Sequence, residues 1–166
     1  MDMNGSERIE APLETVWQAL NDPDILRQCI PGCEALEKTS DTNMTATVSL
    51  KIGPVKARFE GAVELSNLNP LHSYTISGEG KGGIVGFAKG GADVNLEVNG
   101  PETTLLSYTV KAEIGGKIAQ LGARLIDSTA KRLAGEFFKN FRETVGKQQG
   151  ALVESTAADL VDADGR

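Results

Sequence analysis

At 166 residues, 40% hydrophobic and 24% charged, the chain has the size and composition of one globular domain with enough core to fold alone. A net charge of −6 argues against general nucleic-acid binding, and no apolar run is long enough to span a membrane as a helix. The opening MDMNGSERIEAP has neither the basic start nor the apolar core of a secretory signal, so a cytoplasmic location is expected. Two cysteines, Cys29 and Cys33, make no disulfide framework.

The charge is uneven. Met1–Ile114 carries nine basic and sixteen acidic residues, whereas Gly115–Lys147 carries seven basic and three acidic. The remaining tail has one basic and four acidic residues. A basic helix face suits an acidic protein or an anionic membrane surface, and equally it is how an amphipathic helix is solvated.

In chain order, Met1–Ile9 has weak strand character. A short helix follows Pro12, with Leu13, Val16, Trp17 and Leu20 on one face. A second opens at Asp22-Pro23, an N-cap and a first-turn proline, and ends at Pro31-Gly32. Apolar and polar residues then alternate through Met44–Ile52, Val55–Leu65, Tyr74–Gly78, Val94–Val98 and Leu106–Ile114, with Gly-Pro and Asn-Gly turns between them. That period of two with short turns predicts an antiparallel sheet with one covered face. From Lys117 to Lys147 the apolar residues Ile118, Leu121, Leu125, Thr129, Leu133, Phe137, Phe141 and Val145 fall at helical steps. A helix of that length needs a partner surface, which the sheet supplies, so the fold class is α+β.

The inward positions Ala46, Ala57, Gly61, Gly78 and Ala112 are small. They either leave an apolar cavity beneath the helix or let the helix sit close. The glycine cluster Ser77–Gly91 formally contains G-x-G-x-x-G, but a strand rather than a helix follows it, which removes the dinucleotide reading. A mobile flap carrying Ile84, Val85 and Phe87 and a plain hairpin remain as its two readings. His72 is the sole histidine and sits in a turn far from Cys29 and Cys33, so no metal site and no nucleophile–base pair assembles. Tyr108 is the strong polar handle that points inward, toward a ligand or a neighbouring carbonyl. The segment 148–166, acidic and poor in large apolar residues, reads as a disordered tail after a domain spanning 1–147.

Four separated motifs together resemble one family. They are Cys29-Ile-Pro-Gly-Cys-Glu34 after Trp17-Gln-Ala-Leu-Asn-Asp-Pro23; Ile52-Gly-Pro-Val-Lys56; the Ser77–Gly83 and Gly86–Gly90 glycine runs; and Gly115-Gly-Lys-Ile-Ala-Gln-Leu-Gly-Ala-Arg-Leu-Ile-Asp127. In this order they resemble the carbon monoxide dehydrogenase G-subunit family of the SRPBCC (START-like) superfamily. The resemblance implies a helix-grip fold, a curved antiparallel β-sheet wrapped around a long C-terminal α-helix with an internal apolar cavity. It also implies work beside a molybdenum-containing oxidoreductase, at the membrane and with the respiratory quinone, and it supplies no catalytic residues.

The expectation is therefore a non-enzymatic protein that holds an isoprenoid quinone or similar lipid as cargo, with no other cofactor. Phe59, Ile76, Tyr108, Leu121 and Leu125 would wall the cavity, with Ile84 and Phe87 at the flap. The alternatives are a cavity enzyme similar to the polyketide cyclases and aromatases, and a pure assembly factor.

Overall fold

The structure, a computed structural model, describes the backbone of residues 1–163 and the side chains of residues 1–146. Seven strands form one antiparallel sheet: β1 (Asp2–Ile9), β2 (Cys33–Lys38), β3 (Asn43–Ile52), β4 (Val55–Asn69), β5 (Ser73–Lys81), β6 (Phe87–Val98) and β7 (Thr104–Gly115). Their spatial order is β1-β7-β6-β5-β4-β3-β2, so β1 and β2 are free edges and the sheet does not close. Between these two strands in sequence come α1 (Leu13–Leu20) and α2 (Pro23–Cys29), and the chain ends in α3 (Ala123–Ala163).

Local chemistry sets the helix starts. Asp22 accepts a hydrogen bond from the Asp24 backbone N–H and Pro23 opens the first turn, which caps α2. The long helix begins later than the apolar spacing predicts. Lys117–Leu121 is a separate 3₁₀ turn, and α3 opens at Ala123. The cause lies in the flanking glycines. Gly116 and Gly122 hold φ of +82° and +97°, a left-handed region where an α-helix cannot continue. The break turns Ile118 into the core, where it is 2% exposed.

β2 has no counterpart in the sequence reading, because its register shifts between Cys33 and Ala35 and spoils the alternation. The glycine cluster is a hairpin rather than a free flap. β5 and β6 pair from Ser77↔Gly91 to Lys81↔Phe87, and a 3₁₀ turn at Gly83–Val85 closes the tip. At 148–163, where composition suggests a disordered tail, the backbone of α3 continues; those side chains, and residues 164–166, lie outside the described residues.

The small inward residues serve a third purpose besides the two considered above. A Cβ built on Gly90 would strike the Lys111 carbonyl oxygen and stand 2.7 Å from Ala112 Cα. A Cβ on Gly61 or Gly78 would stand 3.0 or 3.1 Å from the backbone oxygen of Glu79 or Ala62 respectively. Glycine lets neighbouring strands press together, and the sheet curves at that line. Gly90→Ala is therefore expected to cost about 1–3 kcal/mol of stability, because the added methyl meets backbone rather than a side chain that can rotate away. Urea unfolding measures it.

The core is divided. A large cluster joins Val16, Leu20, Leu26 and Cys29 of the short helices to Leu65, Tyr74, Leu96 and Leu106 of the sheet and to Phe138, Phe141 and Val145 of α3. A smaller one unites Ile52, Ala57, Phe59 and Ile118 at the other end. Two clips tie the edge elements to α3. Asn140 Nδ2 donates to the Cys29 carbonyl at 3.1 Å, and Arg142 pairs with Glu7 of β1 at 2.6 Å.

Candidate functional site

Between sheet and helix the side chains do not fill the space. Along α3 the residues Ile126, Ala130, Leu133, Ala134 and Phe137 are only half-buried, although they lie on the apolar stripe. They face two recesses arranged in tandem. The first, about 350 Å³, lies under the start of α3, with Ile126, Ala130 and Leu133 above and Phe59, Gly80 and Ala88 among the floor residues. The second, about 300 Å³, lies further along, with Phe137 and Phe138 above and Ile76, Tyr74 and Tyr108 below. Among the described residues no charged side chain lines either recess. An unfilled apolar volume without polar partners stays dry and accepts apolar groups.

The second recess has a polar corner. Tyr108 stacks on Phe138 with ring centroids 5.3 Å apart, and its ring and hydroxyl lie over Gly5 of β1, so close that a side chain there would collide with them. Tyr74 meets Trp17 edge-to-face at 5.4 Å and is 3% exposed. Among the described residues neither phenol hydroxyl has a hydrogen-bond partner within the protein. An unpaired hydroxyl away from water is costly, most of all at the buried Tyr74; Tyr108 is half-buried, and either one is available to a ligand's acceptor.

Burial pushes both phenols up from their usual range near pH 10, and the Glu7 carboxylate adds to the effect at Tyr108. The pH dependence follows from that direction. Below the unfolded value both states keep their protons; above it the unfolded chain ionises first, so stability falls as pH rises. Alkaline titration at the phenolate absorbance is expected to show Tyr108 ionising late and Tyr74 ionising only as the chain unfolds. Tyr74→Phe should flatten the loss of stability above about pH 10.

The seven residues expected at the site separate in the structure. Phe59 lines the first recess, and Ile76 and Tyr108 line the second. Leu121 and Leu125 pack against the smaller core cluster and line neither recess. Gly122 separates Leu121 from α3, leaving it in the preceding 3₁₀ turn, whereas Leu125 lies in the first turn of α3, before the recess begins, and sits over the β3–β4 turn at Gly53. Phe87 opens β6, and its ring lies against Gly115. Ile84 is 82% exposed at the hairpin tip. Ala130, Leu133 and Phe137, which do face the recesses, carry the same helical signal one to three turns further on.

The other chemistry stays inert. Cys29 is buried and donates its thiol hydrogen to Thr144 Oγ1 at 3.8 Å; burial raises its pKa, and that of Cys33 too, so neither is an activated thiolate. Among the described residues no cluster of His, Cys, Asp and Glu is arranged to hold a metal ion. Among the described residues no helix is long and apolar enough to cross a membrane. Two of the basic residues on α3 are engaged internally: Arg132 with Glu136 and the Lys51 carbonyl, and Arg142 with Glu7.

Residues 5–146 match the family of the carbon monoxide dehydrogenase G subunit, CoxG. The chain belongs to the CoxG family. A conserved protein from Geobacillus kaustophilus is 34% identical, with a TM-score of 0.84 over 89% of this chain and 96% of that one. A START superfamily protein from Mycobacterium smegmatis (14% identical, TM-score 0.69, 89% of this chain and 98% of that one) has the same fold. So does the ZhuI aromatase/cyclase from Streptomyces sp. R1128 (10% identical, TM-score 0.67, 89% and 94%). No curated protein matches the chain in sequence. CoxG membership and a START-like fold point to a role in binding hydrophobic ligands, in a family associated by name with carbon monoxide dehydrogenase. The fold also carries enzymes, the aromatase/cyclase among them.

Proposed function

We propose that this CoxG-family chain is a non-enzymatic carrier that holds one isoprenoid quinone or similar lipid along the underside of α3. The observation that carries the reading is the pair of tandem recesses, apolar throughout, with two unpartnered phenols at the second. An extended apolar chain suits two small chambers in line better than one compact molecule does. The driving force is removal of apolar surface from water, roughly 25 cal/mol per Å². Tyr108 and Tyr74 offer hydroxyl donors to a carbonyl on the ligand's head group. Recess walls without an acid–base pair support carrying rather than catalysis.

In this reading the protein serves a molybdenum-containing oxidoreductase of the carbon monoxide dehydrogenase type. It works at the cytoplasmic face of the membrane and passes its cargo between enzyme and bilayer. Trp17, the one tryptophan, touches Tyr74 of the second recess and makes binding measurable. Titration with a short-chain prenylated benzoquinone is expected to quench Trp17 saturably at one ligand per chain. Failure of quinones and fatty acids alike to bind would reject the carrier.

A further inference from the structure

The connections β3–β4, β5–β6 and β7–α3 converge at one end of the molecule, where the first recess is bounded by Ile52, Ile114 and Ile118. Gly86 and Gly116 touch there, so the hairpin tip and the 3₁₀ turn before α3 form one surface. Ile84 stands on its summit, 82% exposed and held out by a turn between Gly83 at φ +63° and Gly86 at φ +132°. Pro54 is exposed nearby in the β3–β4 turn.

The charge around this summit is one-sided. Counting each of the three connections with two residues on either side, the end holds Lys51, Lys56, Lys81, Lys117 and Arg124 and no acid. All five are exposed, and among the described residues none is in an ion pair. Glu60, in register with Lys81, does not reach it, and Glu34 is taken up by Arg58 at 2.8 Å. Counted in the same way, the connections that follow β1, β2, β4 and β6 at the opposite end hold two cations and six acids. A chain of net charge −6 is thus strongly polarised along its length.

We infer that this end is a docking surface for an anionic lipid bilayer, with Ile84 inserted at the headgroup boundary and the five cations gathered around it. An exposed apolar side chain at an end whose connections carry only cations is the combination that such a membrane selects. Near an anionic leaflet each basic residue contributes roughly a fivefold gain in binding, while the acidic end is repelled and so sets the orientation. For its purpose the inference rests on the carrier reading, since docking presents the first recess to the bilayer, but its test does not.

Sedimentation of the full chain with vesicles of equal parts phosphatidylglycerol and phosphatidylcholine, without quinone, is the experiment. Wild type is expected to bind these vesicles and not pure phosphatidylcholine, and to be released as salt rises from about 0.1 M to about 1 M. Ile84→Asp should weaken binding at least about tenfold, whereas Val98→Asp, at an exposed apolar residue of the acidic end, should leave it unchanged. Ile84→Asp should still quench Trp17 with soluble quinone, so loss of docking and loss of the carrier reading are separable. No vesicle binding, equal binding to neutral vesicles, or an Ile84→Asp variant that binds like wild type would each overturn the assignment.

Discussion

Ala130→Phe is expected to abolish quinone uptake, reducing affinity by about 100-fold or more, while leaving the fold intact. Ala130 sits on α3 directly over the first recess, half-buried because the space beneath it is unfilled. Phenylalanine is compatible with a helix, and its ring fills the volume that the ligand would occupy. In a packed core added bulk costs about 1–3 kcal/mol, but a ring placed in an open apolar recess replaces missing contacts. Thermal stability should therefore hold or rise as Trp17 quenching disappears. Leu125 is a poorer place for the same test, because it covers Gly53 and the small core cluster rather than a recess.

Phe141→Ala is expected to have the opposite signature, a loss of about 3–5 kcal/mol in unfolding free energy. Phe141 is 0% exposed, stacks on Phe137 with ring centroids 5.8 Å apart, and belongs to the cluster that joins α1 and α2 to α3. Removing its ring leaves a cavity in the larger core cluster, far along α3 from the first recess. Denaturant unfolding measures the loss. A loss below about 1 kcal/mol would mean that the short helices are not anchored through this residue.

The contrast between Ala130 and Phe141 also explains what was legible beforehand. Both lie on one helical stripe, and spacing alone assigns them the same role. What separates them is what lies opposite: Phe141 shares a core cluster with Val16, Leu26 and Cys29 of the short helices, whereas Ala130 faces a floor that includes Gly80 and Ala88. Periodicity reports which face of an element is covered, and it carries no information on how completely. So β3, β4, β5, β7 and the second half of β6, where the alternation is regular, could be read from the chain, and β2, with its shifted register, could not. The glycines were harder to read. Gly116 and Gly122 delay the start of α3 and leave Leu121 in a separate turn, while the run from Gly78 to Gly91 takes the hairpin form of its two readings, with β5 paired to β6 up to the tip. Phe59, Ile76 and Tyr108 were legible because they lie on strands whose inward parity holds to the sheet's end.

The measurement that tests the central claim most directly is organic extraction of the purified chain, taken from cells that make prenylquinones, with mass spectrometry of what comes off. The account predicts one prenylated quinone or comparable lipid per chain from wild type and none from Ala130→Phe. The same amount of lipid from both proteins would place the ligand outside the recesses, and a wild type that carries none and takes up none would contradict the account altogether.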